Sequence, residues 1–412
     1  MPGYYLSPLR GSTTTKNDMR ETKYSSNIKK SYIYNFLKNF TLLSGVLVPF
    51  FTVWGGITFA QIMILQAIFT FSMSILEVPT GVVADRFGRK TSLILSGIVI
   101  GIGALIYSSY PSFWIFVLGE ILWAAGSALA SGADSALIYD SLKQDGQETK
   151  SKSVFNRMET WGLLAMVISA PIGSLAAKQF GINWAMLLTS IPMFIAVIIG
   201  LTLKEPPLEE KKEQRNYFKI LKSGLIYFKN HKILKILAFD YISIIVLSFF
   251  LVWVYQVVLK KLNFPLEYYG FVHGAIVVAE IIILNSVIKI ETAINSKKRY
   301  ILLSSLLVGI CYLILAFSIN TYVAITCMLL IAGFGLTLKP LFQNYMNKYI
   351  ESEQRATVLS AINMTKSTVA AIANIIFGYL VDWNITYTLL GIGTMVIIFA
   401  LISRVEEEHL IN

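Results

Sequence analysis

The sequence predicts an all-α integral membrane protein, with twelve transmembrane helices in two pseudo-symmetric six-helix bundles. Three observations predict it. Of 412 residues, 55% are hydrophobic and only 14% charged, too few polar groups to cover a water-soluble surface. The apolar residues come in blocks, such as Thr91 to Ser109 and Tyr300 to Ser318. Each has about the 20 residues a helix needs to cross the hydrocarbon core at about 1.5 Å per residue. The blocks lack the alternation of a membrane barrel. Finally, one polar stretch, Lys204 to His231, divides them six and six.

The elements follow in order. Residues 1–31 are a polar tail, and the first apolar block is too long for a signal h-region, so no cleavable leader is expected. The first bundle, 32–203, holds helix 1 at 32–53, helix 2 at 57–84, helix 3 at 91–109, helix 4 at 112–142, helix 5 at 154–178 and helix 6 at 182–203. Pro171 is expected to bend helix 5. The linker, 204–231, opens Lys-Glu-Pro-Pro, and its run from Tyr217 to Lys222 reads as a short amphipathic helix on the membrane surface; the alternative is a plain solvated linker. The second bundle, 232–404, holds helix 7 at 232–259, helix 8 at 267–290, helix 9 at 300–318, helix 10 at 320–349, helix 11 at 355–382 and helix 12 at 384–404. Residues 405–412 form the other tail. Segments longer than 20 residues imply tilt or extension past the membrane.

The net charge is +11, and its placement gives the orientation. Of 35 Lys and Arg, Lys178, Lys260 and Lys261 fall on one side, and Lys38, Lys339 and Lys366 fall inside helices. The rest lie in the other set of loops and the tails, so both termini are expected in the cytoplasm, with the protein in the cell membrane. Those basic residues suit anionic headgroups, and no nucleic acid partner is expected. Cys311 and Cys327 lie in apolar blocks and imply neither disulfide nor metal site. No cofactor is expected, and a monomer is.

The two halves show a faint repeat. Gly88-Arg-Lys-Thr-Ser opens helix 3 and Lys297-Lys-Arg-Tyr opens helix 9. Helix 5 ends Gly173-Ser-Leu-Ala-Ala-Lys178, and helix 11 ends Gly378-Tyr-Leu-Val-Asp382. Repeated halves commonly frame a central pathway; chance likeness of apolar helices is the alternative.

Ionisable groups inside the membrane cost about 2.5–3.5 kcal/mol on insertion scales, so they face protein or water. Helices 1, 2, 4, 5, 7, 8, 10 and 11 carry them: Lys38; Glu77; Glu120 and Asp134; Glu159; Asp240; Glu280; Lys339; Lys366. Helices 3, 6, 9 and 12 carry none between their ends and are expected to face lipid, while the other eight surround a polar cavity. Lys38, Glu77, Asp134 and Glu159 share one depth near the cytoplasm, an inner ionic cluster that either closes a gate or fixes packing. Glu120, Ser127 and Asp134 recur at seven residues, as do His273 and Glu280, and so share helix faces. Glu280 is the first choice for carrying a coupling proton, with His273 relaying and Lys366 as partner. Glu120, Asp134 and Asp240 are the reserves, and a structural hydrogen bond is the alternative for each. Trp123, Trp161, Trp253, Tyr255, Gln256 and Asn363 are candidates to line a substrate cavity, or else packing residues.

The sharpest local pattern is Gly81-Val-Val-Ala-Asp85-Arg86-Phe-Gly88-Arg89-Lys90 between helices 2 and 3. Gly88 permits the tight turn, and Asp85 can attract a helix N-terminus or an Arg. This segment resembles the signature loop of the major facilitator superfamily, Gly-x-x-x-Asp-Arg-x-Gly-Arg-Lys/Arg, and matches at all six positions. The likeness covers about 32–404. It implies that the loop docks against helix 11 near Arg355 and holds the outward-facing state. The second-half copy, Glu291 to Arg299, lacks the Gly and Asp pattern. Drug–proton antiporters of that family usually carry an Arg in helix 4, where this chain has Glu120, and Ala170-Pro171-Ile172-Gly173 matches their helix 5 pattern only in part.

The expected function is secondary active transport of a small organic solute by alternating access, with protons as the coupling ion and an amphipathic compound exported. The alternatives are uptake by symport or facilitated diffusion, and a non-transporting receptor or scaffold. No phosphate-binding loop, metal-ligand spacing or serine elbow occurs, so neither an ATP-driven pump nor an enzyme is expected.

Overall fold

The computed structural model describes residues 23–207, 217–351 and 354–410. Among them every regular element is helical. Eleven runs are long and apolar enough to cross a membrane. The first six are Ser25–Trp54 (helix 1), Phe59–Phe87 (helix 2), Arg89–Ser109 (helix 3), Phe113–Gln144 (helix 4), Glu148–Phe180 (helix 5) and Ile182–Thr202 (helix 6). Then come Lys232–Lys261 (helix 7), Leu266–Ile294 (helix 8), Lys297–Phe317 (helix 9) and Thr321–Lys348 (helix 10). The last, Thr357–Ile402, is folded at Asn384 (φ −164°, ψ 110°), whose side chain accepts from the N–H groups of Thr386 and Tyr387 at 2.9 and 3.2 Å. That is an N-cap, so the run makes helices 11 and 12 and the spans number twelve. A further helix, Tyr217–Asn230, precedes helix 7 and lies against the start of helix 11, where Gly224 meets the Thr357 carbonyl.

Helix 1 starts at Ser25, earlier than hydropathy places it. Asn27 there is buried, donating to Ser141 Oγ (2.9 Å) and the Lys204 carbonyl (2.7 Å) and accepting from Lys204 N–H (2.9 Å). It ties the first turn of helix 1 to the ends of helices 4 and 6. Buried amides survive by such bonding, which hydropathy does not register.

Breaks fall in helices 1, 4, 7 and 10. Helix 1 passes from α (Ser25–Asn39) through a 3₁₀ turn (Leu42–Val46) to a π turn (Phe50–Trp54) beyond Pro49, which offers no N–H. Helix 4 breaks at Gly132 (φ 74°), helix 7 at Phe250, and helix 10 carries a π segment over Ala332–Leu336. Helix 5 instead runs unbroken from Ser151 to Phe180 through Pro171, so the expected bend does not interrupt its helical run.

The two bundles repeat one device. Glu205, just past helix 6, accepts from the backbone N–H groups of Arg89 and Lys90 at 2.8 and 2.7 Å, capping helix 3. Glu407, just past helix 12, accepts from those of Lys297 and Lys298 at 2.9 and 3.0 Å, capping helix 9. A carboxylate at a helix N-terminus satisfies orphan donors and favours the macrodipole.

The face that carries the helix 2–3 loop, the linker and both chain ends is here termed the basic face. On the opposite face the bundles are locked together. Lys178, ending helix 5, pairs with Glu267 at the start of helix 8 (3.1 Å), and Ser174 Oγ donates to the Glu267 carbonyl (2.8 Å). Asp382, ending helix 11, accepts from Phe59 and Ala60 N–H at the start of helix 2 (2.9 and 2.8 Å). The two helix ends that look alike in sequence thus hold equivalent partners. Deeper in, Gly45, Ala170 and Gly270 bring the backbones of helices 1, 5 and 8 into contact: a Cβ on Gly45 would lie 2.8 Å from Gly270 Cα. This state is closed on the opposite face.

Candidate functional site

Between the broken helix 1 and helices 2, 3 and 4 lies a cavity of about 220 Å³. Glu120 on helix 4 and Gln66 on helix 2 meet across it, with Gln66 Nε2 donating to Glu120 Oε1 at 2.9 Å. Each lies seven residues, about 10.5 Å, from the opposite-face end of its helix. Tyr107 of helix 3 fits beside Glu120 because position 119 is glycine; a Cβ there would meet the ring at Cγ, 2.8 Å away. Tyr107 and Trp123 meet edge to face, with centroids 6.5 Å apart. Phe51 and Phe69 add apolar wall, and Trp253, from helix 7, closes the cavity from the second bundle. Among the described residues the Trp253 indole N–H has no acceptor.

Glu120 retains 5% of its surface and, among the described residues, makes no ion pair. A buried carboxylate without a counter-ion is costly unless a proton or a cationic ligand compensates it. The cavity therefore offers one acidic group, one amide and aromatic faces, a set suited to a compact polar or cationic group with an apolar body.

The second bundle grips the irregular part of helix 1. Gln256 accepts from Val48 N–H (2.8 Å) and donates to the Ser44 carbonyl (3.1 Å) and to the Tyr255 hydroxyl (2.6 Å). Tyr255 OH also reaches Ser44 O (3.3 Å) and His273 Nδ1 (3.1 Å). Backbone groups freed where helix 1 leaves the α form are thus satisfied across the bundle interface.

Other sequence candidates fall as follows. Trp123 and Trp253 line the cavity, while Tyr255 and Gln256 serve the grip on helix 1. Trp161 and Asn363 are exposed; Trp161 packs edge to face on Phe36 (6.0 Å), and Asn363 Oδ1 lies 3.5 Å from Tyr241 OH. His273 is buried near the opposite face, and its Nε2 has no partner among the described residues. Glu280 is half-buried and does not pair with Lys366; the charge that reaches it is that of Lys339 on helix 10. Lys366 feels Lys339 as well, a like charge. Asp240 is buried toward the basic face and bonded by the Ser403 hydroxyl, away from the Glu120 cavity.

The inner ionic cluster is smaller than expected. Lys38 pairs with Asp134 at 3.0 Å, where helix 1 faces helix 4. Glu159 lines the same basic-side cavity, of about 400 Å³, but makes no ion pair, and Glu77 sits on an exposed part of helix 2 and makes none among the described residues. In the signature loop, Arg89 pairs with Asp140 on helix 4 and donates to the Ala136 carbonyl (2.9 Å). Gly88 has φ 95° and supplies the turn, and Arg86 lies over the Phe87 ring (5.6 Å). Arg355 donates to the Ile350 carbonyl (3.5 Å). Gly81 leaves open space, and Asp85 is exposed.

Charge spacing missed Gln66 and Tyr107. Helices 3 and 6, expected to face lipid, contribute Tyr107 and Met186 to the cavity wall. Scanning the apolar blocks for amides and hydroxyls as well as charges would have found Gln66.

The profile of the Major Facilitator Superfamily matches residues 35–373. The chain is 24% identical over 387 residues to the uncharacterized MFS-type transporter YxaM of Bacillus subtilis (strain 168), a match covering 90% of this chain and 92% of that protein. A partial match, 32% identical over 127 residues, covers 30% of this chain and 26% of a D-xylose transporter of Levilactobacillus brevis. Among solved structures, the nucleoside transporter NupG superposes with a TM-score of 0.75 at 14% identity, covering 91% of this chain and 97% of that one. That likeness speaks to the fold.

Proposed function

The chain belongs to the Major Facilitator Superfamily and is a multi-pass membrane transporter, not an enzyme, and on that premise we propose that it couples proton movement to export of a small amphipathic organic compound. The observation that carries the coupling is Glu120: a buried carboxylate with an amide partner, no counter-ion and aromatic walls, placed where the two bundles meet. Proton and solute can each compensate its charge, and exchange of one for the other is what links two gradients. Glu280 is the second site, with Lys339 rather than Lys366 as the charge that reaches it.

The basic face is the cytoplasmic one on this reading. With the opposite face closed, this state is not outward-facing on this reading, and an exported compound would load from the basic face. The signature loop and Arg355 would engage in the outward-facing state. The second reading is uptake by symport, with a sugar as the solute on the partial match to the Levilactobacillus brevis D-xylose transporter.

Flux in proteoliposomes under an imposed proton gradient, scanned over organic cations, neutral amphipaths and sugars, separates these readings. Export by antiport predicts that a gradient with acid outside, driving protons inward, moves solute out and that Glu120→Gln abolishes gradient-driven flux. Solute concentrated in the same direction as the proton flow would favour symport. Flux indifferent to the gradient in both proteins would refute coupling through Glu120.

A further inference from the structure

A further cavity is separate from that of Glu120. It is a groove of about 940 Å³ on the basic face, between the start of helix 7 and the end of helix 12. Lys232, Lys235 and Arg404 stand exposed around its mouth, with His409 beside them. Lys232, Lys235 and Arg404 have no ion pair or side-chain hydrogen bond among the described residues, although Glu406 and Glu408 are close in sequence. Glu406 is taken by Lys298 at 2.6 Å, and Glu408 lies 4.0 Å from His409. Below the mouth the walls turn apolar, through Ile236, Phe239 and Ile402. Phe239 lies seven residues, about 10.5 Å, deeper than Lys232 along helix 7, and packs edge to face on Phe399 at 5.7 Å. The one acid in the groove, Asp240, is buried and already bonded by Ser403, below the level of the cations.

A ring of unpaired cations above an apolar trough matches one chemistry. We propose that this groove binds an anionic glycerophospholipid, its phosphodiester headgroup held by Lys232, Lys235 and Arg404 and an acyl chain laid along Ile236, Phe239 and Ile402. A soluble anion would use the cations but leave the apolar walls unused. A neutral lipid would use the walls but leave three cations unmatched. Helix ends at a membrane surface are where such charge selection operates. The groove touches helices 7 and 12, so an occupied site would brace the second bundle as a unit.

The full chain, purified in detergent supplemented with palmitoyl-oleoyl phosphatidylglycerol or phosphatidylcholine, can be read by native mass spectrometry for bound copies. Phosphatidylglycerol is expected to be retained in preference, and the Lys235→Gln/Arg404→Gln pair to weaken that retention about 30-fold. A Lys235→Arg/Arg404→Lys pair keeps the charge and is expected to keep the lipid, which separates lost attraction from a lost fold. Equal retention of phosphatidylglycerol by the glutamine pair, or of phosphatidylcholine by the wild-type chain, overturns the proposal. So does displacement of the lipid by inorganic phosphate at equal concentration, which would mark a site for a free anion.

Discussion

Gly270→Ala tests how the opposite face closes. In the closed state a Cβ at position 270 would collide with the Ala170 carbonyl and lie 2.6 Å from Pro171 N. Both are backbone of helix 5, so no rotamer change relieves the clash, and helices 5 and 8 must part. Overpacking of this kind costs about 1–3 kcal/mol. The cost falls on the closed state alone, because parting the helices removes it, and so it moves the population by about 5- to 150-fold toward opening on that face. Gly391→Ala is the control: nothing lies within 4 Å of a Cβ there. Its gain of up to about 1 kcal/mol in helix propensity acts on both states alike. The readout is the rate at which Leu47→Cys, in the cavity wall, reacts with a membrane-impermeant maleimide applied from the opposite face. The background has the buried Cys311 and Cys327 replaced by serine. Gly270→Ala is expected to raise the rate at least fivefold and Gly391→Ala to leave it unchanged. Equal rates in folded Gly270→Ala and wild-type protein would refute the backbone contact as the closing element.

Asp382→Asn weakens two charge-assisted bonds to helix 2 at an exposed site, so about 1 kcal/mol and at most a fivefold rise in the same labelling rate are expected. Glu205→Gln and Glu407→Gln should each lower the thermal midpoint in detergent by the loss of about 1 kcal/mol at a helix N-terminus; an unchanged midpoint would show that the caps are incidental. Asp85→Asn is expected to slow transport with little loss of folded protein, and wild-type rates in both Asp85→Asn and Arg89→Ala would reduce the loop to a topogenic signal. Glu280→Gln should abolish uphill transport while leaving solute exchange measurable; a variant that still concentrates solute with unchanged pH dependence removes Glu280 as a proton carrier.

Transmembrane character, the count of twelve helices and the membership of the superfamily were legible in the sequence. Hydropathy is a local property, and the signature loop places its glycines and charges within ten residues. The likeness of the ends of helices 5 and 11 was visible too, though not its use: Lys178 and Asp382 find their partners, Glu267 and Phe59, in the other bundle. The candidate site was half legible. Glu120 and Trp123 stand out as odd residues in an apolar block, but Gln66 joins them across 54 residues and Tyr107 enters only because Gly119 makes room. The ionic cluster shows the converse, since depth along a helix can be counted and azimuth about the bundle cannot; Glu77 and Glu159 share the depth of Lys38 without pairing to it. The break in helix 1 that Gln256 reads, and the face that is closed, depend on how two bundles pack. Sequence fixes which groups must be buried or satisfied, whereas only the packing of helices distant in the chain decides by which partners.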